Sequence, residues 1–170
     1  MGKGTLIRGL LERMPGVRLS VSATTRAARE GEEHGTDYWF LGHDEFDRRV
    51  EEGDFVEHAQ YAGNRYGTLR SELEEASEGI VLEIDVQGAR QVRETLPDAT
   101  QVFIAPPSVE VLRERLEGRG SDSPEQVKVR LAEAEGELAA QEEFRKVIVN
   151  DDLDRALQEL EALAATVFDR

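Results

Sequence analysis

The chain contains no cysteine, few aromatic residues and no long apolar run. Without cysteine, disulfide bonds, thiol nucleophiles and cysteine-ligated zinc are excluded. Its three histidines, His34, His43 and His58, stand in unrelated contexts without the spacing of metal ligands. No apolar run reaches the length of a membrane-spanning helix, and no signal-peptide pattern opens the chain, so a cytoplasmic protein is predicted.

Positive charge is also scarce. Lysine and arginine number 21 against 36 acidic residues, which gives a net charge of −15. Such a field repels nucleic-acid backbones and anionic membranes, so neither is a predicted partner. A small anionic substrate would have to be held by a local cluster of arginines. The length of 170 residues suits one domain with a real hydrophobic core.

The segment Ser22–Phe40 contains such a cluster. Arg26 and Arg29 stand three residues apart, and Gly31 and Gly35 bracket a predicted tight loop. A guanidinium fork binds phosphate oxygens two at a time, so paired arginines suit a monophosphate. The segment adds hydroxyls that can contact a ligand, and it ends in a predicted strand: Ser22, Thr24 and Thr25, then Tyr38-Trp39-Phe40. An ordinary polar surface loop explains the segment, taken alone, equally well.

The first residues, Gly2-Lys3-Gly4-Thr5, are similar to the second half of a phosphate-binding loop. In that loop, backbone N–H groups at a helix N-terminus cradle phosphates and a lysine reaches their oxygens. Gly4 stands where the pattern has serine or threonine, and Thr5 is the alternative source of the hydroxyl. Four residues alone are more often a coincidence at the start of a helix, here one that Pro15-Gly16 ends.

The second half of the chain alternates strands and helices, which predicts a parallel sheet with crossover helices. The apolar run Ile80–Asp85 is a predicted buried strand that carries Glu83 and Asp85 near its C-terminal end. Ligands of open α/β sheets bind at that end, so both carboxylates are candidates for contacts with a base or a metal. A glycine-flanked loop near residues 118–123 has arginines on both sides, as a lid does.

Together, six segments resemble guanylate kinase, the nucleoside-monophosphate kinase family that transfers a phosphoryl group from ATP to GMP. They are, in chain order, SATTRAAREGEEHGTDYWF, FVEHAQYAGNRYGT, LEIDVQGA, FIAPPS, LEGRG and VIVNDD. The resemblance covers nearly the whole chain, and six ordered segments make chance agreement negligible.

The resemblance implies a role for each matching residue. Residues expected to bind GMP are Ser22, Arg26, Arg29, Glu32, Tyr38, Glu57, Tyr66, Thr68 and Asp85. Residues expected to bind ATP are Gly2, Lys3, Gly4, Thr5, Arg115, Arg119 and Asn150, and the catalytic set is Lys3, Arg119 and Arg130. Magnesium is expected to bind with ATP, with Thr5 as the candidate protein ligand, and dGMP is expected as a second acceptor.

The implied fold is a three-layer α/β core with a parallel sheet, a mixed α/β GMP-binding insertion and a lid. The core is expected over residues 1–20 and 83–170, the lid at about 118–130 and the insertion over 21–82. Relative to the family, the sequence begins within the phosphate-binding loop and lacks the first strand, so weaker folding and weaker ATP binding with a nearly complete GMP site are expected. The alternatives are a non-catalytic phosphopeptide-binding module of guanylate-kinase-like sequence and an inactive fragment of the enzyme.

Overall fold

A computed structural model describes residues 2–74, 79–118 and 124–168 of the chain. Its helices, in chain order, are α1 (Lys3–Arg13), α2 (His43–Glu51), α3 (Arg70–Glu74), α4 (Val86–Thr95), α5 (Val109–Glu117), α6 (Pro124–Ala139) and α7 (Leu153–Phe168). Its strands are β1 (Val17–Leu19), β2 (Ala23–Thr24), β3 (Trp39–Phe40), β4 (Phe55–Tyr61), β5 (Asn64–Leu69), β6 (Gly79–Val81), β7 (Phe103–Ala105) and β8 (Val147–Val149). Among the described residues, no helix is long and apolar enough to cross a membrane.

The chain forms two compact units. The central unit is Pro15–Ala99, and the terminal unit joins Met1–Met14 to Thr100–Arg170. The predicted boundaries, with an insertion over 21–82, differ from this division because β1 and α4, expected in the core, belong to the central unit. The assignment of a core and an insertion therefore stays a prediction.

The central unit contains a four-stranded sheet in the order β3-β2-β5-β4 and a parallel pair, β1 with β6. β4 and β5 form an antiparallel hairpin. Its two-residue loop, Ala62-Gly63, has positive φ at both positions, the backbone that matches the twist of paired strands. Apolar side chains from the sheet and from α2 form the core of this unit: Ala23, Leu41, Phe46, Phe55 and Leu69.

In the terminal unit, β7 and β8 form a second parallel pair, and α1 packs on α7. Leu6, Ile7 and Leu10 form the buried face of α1. The helices approach closely at Gly9, where an added Cβ would lie 2.8 Å from Leu157 Cδ2. The predicted α/β class with parallel strands is thus confirmed.

One predicted strand is wrong in extent. β6 ends at Val81, whereas a strand was expected through Asp85. Asp85 is instead the N-cap of α4, and its Oδ1 accepts a hydrogen bond of 2.8 Å from the Gly88 N–H. Capping a free N–H in the first turn stabilises a helix, so α4 begins at Val86, directly after Asp85.

Candidate active site

An arginine–glutamate pair follows β2 in the central unit. The Arg26 guanidinium binds Glu32 through two hydrogen bonds of 2.9 Å each, Nη1 to Oε2 and Nη2 to Oε1. The Arg29 backbone N–H donates to the same carboxylate at 2.7 Å. The hydrogen bonds from Arg26 and from the Arg29 backbone lower the pKa of Glu32, and the bond to Glu32 raises the pKa of Arg26. Glu32 thus fixes the orientation of a permanently charged fork.

Two tyrosines complete this cluster. Arg26 Cζ lies 5.2 Å from the centre of the Tyr38 ring, a cation–π distance, and the Tyr38 and Tyr66 rings are 6.2 Å apart in an edge-on arrangement. Burial raises the pKa of Tyr38, so its hydroxyl stays protonated and can donate a hydrogen bond. Arg29 lies exposed on the same loop. The Arg26 guanidinium and the rings of Tyr38 and Tyr66 therefore lie together, beside a loop held by the Glu32 carboxylate. This is where the phosphate of the substrate was predicted to bind.

The threonines of this segment have a different task from the one expected. Thr24 is fully buried; its hydroxyl donates to the Arg65 carbonyl at 2.9 Å and accepts from the Arg26 N–H at 3.1 Å. The Thr25 hydroxyl accepts from the Arg65 N–H at 3.0 Å. These hydroxyls bind backbone groups and hold the arginine loop on β5. The expectation of a hydroxyl free for a ligand is therefore wrong for Thr24, which is fully buried and both donates and accepts.

A buried carboxylate forms the second part of the site. Glu57 on β4 is only 4% exposed, and its Oε1 accepts a hydrogen bond of 2.7 Å from the Thr68 hydroxyl on β5. Burial raises the pKa of Glu57, and the charge of Asp85 acts in the same direction. The other oxygen lies against the first turn of α4, where a Cβ on Gly88 would be 2.4 Å from it. Glycine at 88 therefore leaves the space that this carboxylate occupies.

Asp85 and Ser22 lie in the same unit as Glu57. The Asp85 carboxylate is engaged by α4, through the Gly88 N–H and through Gln87 Nε2 at 3.2 Å. Ser22 is half-buried, and its carbonyl accepts the Trp39 N–H at 2.9 Å. All nine residues predicted to bind GMP thus belong to the central unit.

The residues predicted to bind ATP belong to the terminal unit. Gly2 is the N-cap of α1 with φ of 84°, a conformation that glycine adopts readily, and a Cβ there would lie 2.4 Å from Asn150 Nδ2. Asn150 is buried, and its carbonyl accepts from Arg115 Nη2 at 3.0 Å. The structure therefore brings together the start of α1, the end of β8 and an arginine of α5.

The other predicted ATP-side residues are less closely grouped. Lys3 Nζ lies 3.7 Å from Glu137 of α6, and Thr5 is exposed in the first turn of α1. The Gly4 carbonyl accepts from Arg8 Nε at 3.3 Å. Arg130 lies on α6, and its side chain is outside the description, as is the whole of Arg119 in the predicted lid.

Comparison with known proteins decides the family. The family model described as Guanylate kinase matches residues 1–166. The chain belongs to the guanylate kinase family. It is 51% identical over 166 residues to the guanylate kinase of Parasynechococcus marenigrum, covering 96% of this chain and 91% of the relative. It is 53% identical over 163 residues to the guanylate kinase of Synechocystis sp., covering 94% of this chain and 85% of the relative.

A solved guanylate kinase also shares the fold. The crystal structure of guanylate kinase from Anaplasma phagocytophilum aligns with a TM-score of 0.78 at 34% identity. The alignment covers 98% of this chain and 81% of that chain. The fold predicted from the resemblance is therefore confirmed, while the role of each guanylate kinase residue remains to be argued from its surroundings.

Sequence reasoning missed one buried carboxylate in this chain. Glu72 on α3 is 5% exposed and accepts hydrogen bonds from Val21 N at 2.9 Å, Arg18 Nη1 at 3.0 Å and Trp39 Nε1 at 3.0 Å. Burial acts to raise the pKa of Glu72, but the three hydrogen bonds outweigh it and the pKa is lowered. Glu72 thereby fixes both ends of the segment Ser22–Phe40. Its sequence context, a short acidic helix, gave no signal of this task.

Proposed function

We propose that this chain transfers the γ-phosphoryl group of ATP to GMP, giving ADP and GDP. Its membership of the guanylate kinase family over residues 1–166 supports the reaction. The residues proposed below to bind the acceptor address its phosphate and its base. None is assigned to the ribose 2′-hydroxyl, so dGMP is proposed as a second acceptor.

The arginine–tyrosine cluster is the proposed phosphate site. Arg26 and Arg29 would neutralise the dianion, and the hydroxyls of Tyr38 and Tyr66 would donate to its oxygens. Glu32 would keep Arg26 oriented before the nucleotide arrives, as its two hydrogen bonds of 2.9 Å suggest. Holding the fork in place lowers the entropy cost of binding.

The buried carboxylate of Glu57 is the observation that carries the choice of guanine. Guanine presents two adjacent donors, N1–H and the 2-amino group, and a carboxylate accepts both. Adenine presents an acceptor at N1 and would leave a buried carboxylate unpaired, at a cost of about 1–3 kcal/mol. Thr68 holds Glu57 at 2.7 Å, and Asp85 and Ser22 are the further proposed contacts to the base.

The start of α1 is the proposed phosphate site for ATP. Backbone N–H groups of Gly2, Gly4 and Thr5 at the N-terminus of a helix suit phosphate oxygens, and Lys3 adds a positive charge. Asn150 is proposed to lie near the adenine. Arg115 supports Asn150 through its carbonyl, and Arg119 and Arg130 are proposed to neutralise the phosphoryl group in transfer.

The reaction needs no covalent step on the protein. Phosphoryl transfer depends on positioning of the two nucleotides and neutralisation of their charge. Among the described residues no group of three acidic or histidine side chains could hold a metal ion. Magnesium in kinases keeps several waters and binds mainly to substrate phosphates, so a single hydroxyl such as that of Thr5 fits it. Bound with ATP, magnesium would supply further neutralisation of phosphate charge.

A coupled assay of ADP release tests the proposal. The wild-type chain should release ADP when ATP and GMP are both present, and not when AMP replaces GMP. Lys3→Met should abolish release, and Arg26→Lys should raise the KM for GMP at least tenfold, since lysine cannot reproduce the bidentate fork. A phosphopeptide-binding module would release no ADP and would be indifferent to Lys3→Met. Equal release with GMP and AMP would contradict the assigned acceptor.

A further inference from the structure

The outer edge of β4 is covered by side chains. β4 is the last strand in the order β3-β2-β5-β4, so within the part of the chain that the structure describes only one of its two edges pairs with another strand. The pairing with β5 is irregular between Phe55 and Glu57. An edge strand with a disturbed ladder needs another source of hydrogen bonds to keep one fixed position.

A polar row on α4 supplies them. Gln87, Gln91 and Thr95 are spaced by four residues, so they lie on one face of the helix. Their partners are backbone groups of alternate residues along β4. Gln87 Nε2 donates to the Gln60 carbonyl at 3.1 Å. The Thr95 hydroxyl shares its proton between the Val56 carbonyl at 3.2 Å and the Gln91 carbonyl of its own helix at 3.0 Å. Gln91 makes two bonds to His58: its Nε2 donates to the carbonyl at 2.6 Å, and its Oε1 accepts from the N–H at 3.1 Å.

At His58, the Gln91 side chain therefore makes the two hydrogen bonds that a neighbouring strand would make. Its primary amide offers the same donor and acceptor that a neighbouring backbone would offer. His58 directly follows Glu57, and Thr95 binds Val56, which directly precedes it. The two neighbours of the buried glutamate are thus tied to α4, while the Glu57 carboxylate lies against Gly88 of the same helix.

We propose that Gln91 is a positioning residue for guanine recognition, setting the distance of Glu57 from the first turn of α4. The inference rests on the proposed function, in which Glu57 reads the base. Without the two hydrogen bonds from Gln91, β4 can shift relative to α4. The Glu57 carboxylate is then no longer placed to accept hydrogen bonds from both donors of guanine. A misplacement of about 1 Å is enough to lose a large part of such an interaction.

Calorimetric binding of GMP and of inosine 5′-monophosphate to the full chain tests this role. The two nucleotides differ only in the 2-amino group, so their ratio of Kd values isolates base recognition from phosphate binding. Gln91→Leu removes both hydrogen bonds at similar volume. Gln91→Glu retains an acceptor for the His58 N–H but replaces the donor by an oxygen that faces the His58 carbonyl, and it provides a second variant should the first fail to fold. Glu94→Leu, exposed on the same helix, is the matched control.

The expected result is a drop of about tenfold in the preference for GMP in Gln91→Leu and a drop at least as large in Gln91→Glu, where two acceptor oxygens face each other. Glu94→Leu should keep the wild-type preference, and Glu57→Gln should lose it. A wild-type preference in both Gln91 variants, with the preference lost in Glu57→Gln, would overturn the positioning role. A preference retained in Glu57→Gln would overturn the guanine-reading role of Glu57 itself. An unchanged preference with weaker binding of both nucleotides would assign Gln91 to stability alone.

Discussion

Replacing Gly88 by alanine is expected to change both the free energy of unfolding and the KM for GMP. An alanine Cβ would lie 2.4 Å from Glu57 Oε2, 3.0 Å from Glu57 Cδ and 3.3 Å from Ile84 Cβ. Comfortable non-bonded separations are about 3.5 Å, so the carboxylate must move by about 1 Å. Glu57 is buried and held by Thr68 at 2.7 Å, so the movement stretches that hydrogen bond.

Two opposing energies act on the stability of the fold. Weakening a hydrogen bond to a buried carboxylate costs up to about 3 kcal/mol, whereas Gly→Ala in a helix contributes up to about 1 kcal/mol of stabilisation. The free energy of unfolding should therefore fall by at most about 3 kcal/mol, and by at most about 2 kcal/mol where the helix gain is realised in full. GMP binding has no such compensation. We expect the KM for GMP to rise by about 10–100-fold, or about 1.4–2.8 kcal/mol.

Steady-state ADP release at varied GMP, together with urea unfolding, measures both quantities. Gly136→Ala in α6 is the matched control, because an added Cβ there would meet no atom within 4 Å. It should be as stable as the wild type or more so, with an unchanged KM for GMP. An unchanged KM for GMP in Gly88→Ala would refute the assignment of Glu57 to the base.

Three further predictions concern single carboxylates. Glu32→Gln should weaken GMP binding about tenfold and leave guanosine binding unchanged, by calorimetry, because Arg26 is proposed to contact the phosphate, which guanosine lacks. The pKa of Glu57 is raised, so its charged form is scarce at acidic pH. The ratio of the GMP affinity of the wild type to that of Glu57→Gln should therefore grow as the pH rises from about 5 to 8. A ratio that does not change with pH would contradict this, since the phosphate of GMP titrates equally with both proteins. Glu72→Leu should lose about 2–4 kcal/mol of unfolding free energy, followed by fluorescence of Trp39, the single tryptophan; a loss below 1 kcal/mol would contradict its anchoring role.

The same pKa shifts fix the sign of the pH dependence of folding. The pKa of Glu72 is lowered, so its contribution is present above the ordinary carboxyl pKa of 4.5 and is lost as the pH falls through the folded value. The pKa of Glu57 is raised, so it lowers stability as the pH rises from 4.5 through its folded value. Glu57 thus acts against folding at neutral pH, as expected of a group retained for binding.

Local sequence predicted the parts of the site that local chemistry determines. Gly31 and Gly35 both have positive φ, so the loop they were expected to form is confirmed. The N-cap of α5 is likewise of a residue type that local chemistry favours: the Ser108 hydroxyl accepts a bond of 3.2 Å from the Val111 N–H. Both features depend on a few neighbouring residues, which is why spacing and residue type were sufficient.

Contacts set by strand order could not be predicted in this way. The Thr24 hydroxyl meets the carbonyl of Arg65, 41 residues away, because β2 pairs with β5. Glu72 meets Trp39, 33 residues away. The spacing of Gln87, Gln91 and Thr95 was visible in the sequence, but only the position of β4 at a sheet edge reveals what a polar row on α4 binds.

The position of the buried Glu57 depends on contacts with β5 and with α4. Thr68 occupies one oxygen, Gly88 leaves room for the other, and Gln91 ties the next residue on β4 to α4. Each contact restricts the position of a carboxylate whose raised pKa shows that its charge is poorly compensated in the free protein. A base with two adjacent donors supplies the missing compensation, and a base with an acceptor in that place does not. Selectivity for guanine therefore requires a fixed carboxylate as well as a buried one, because a mobile carboxylate could turn towards other donors and relieve the penalty that excludes adenine.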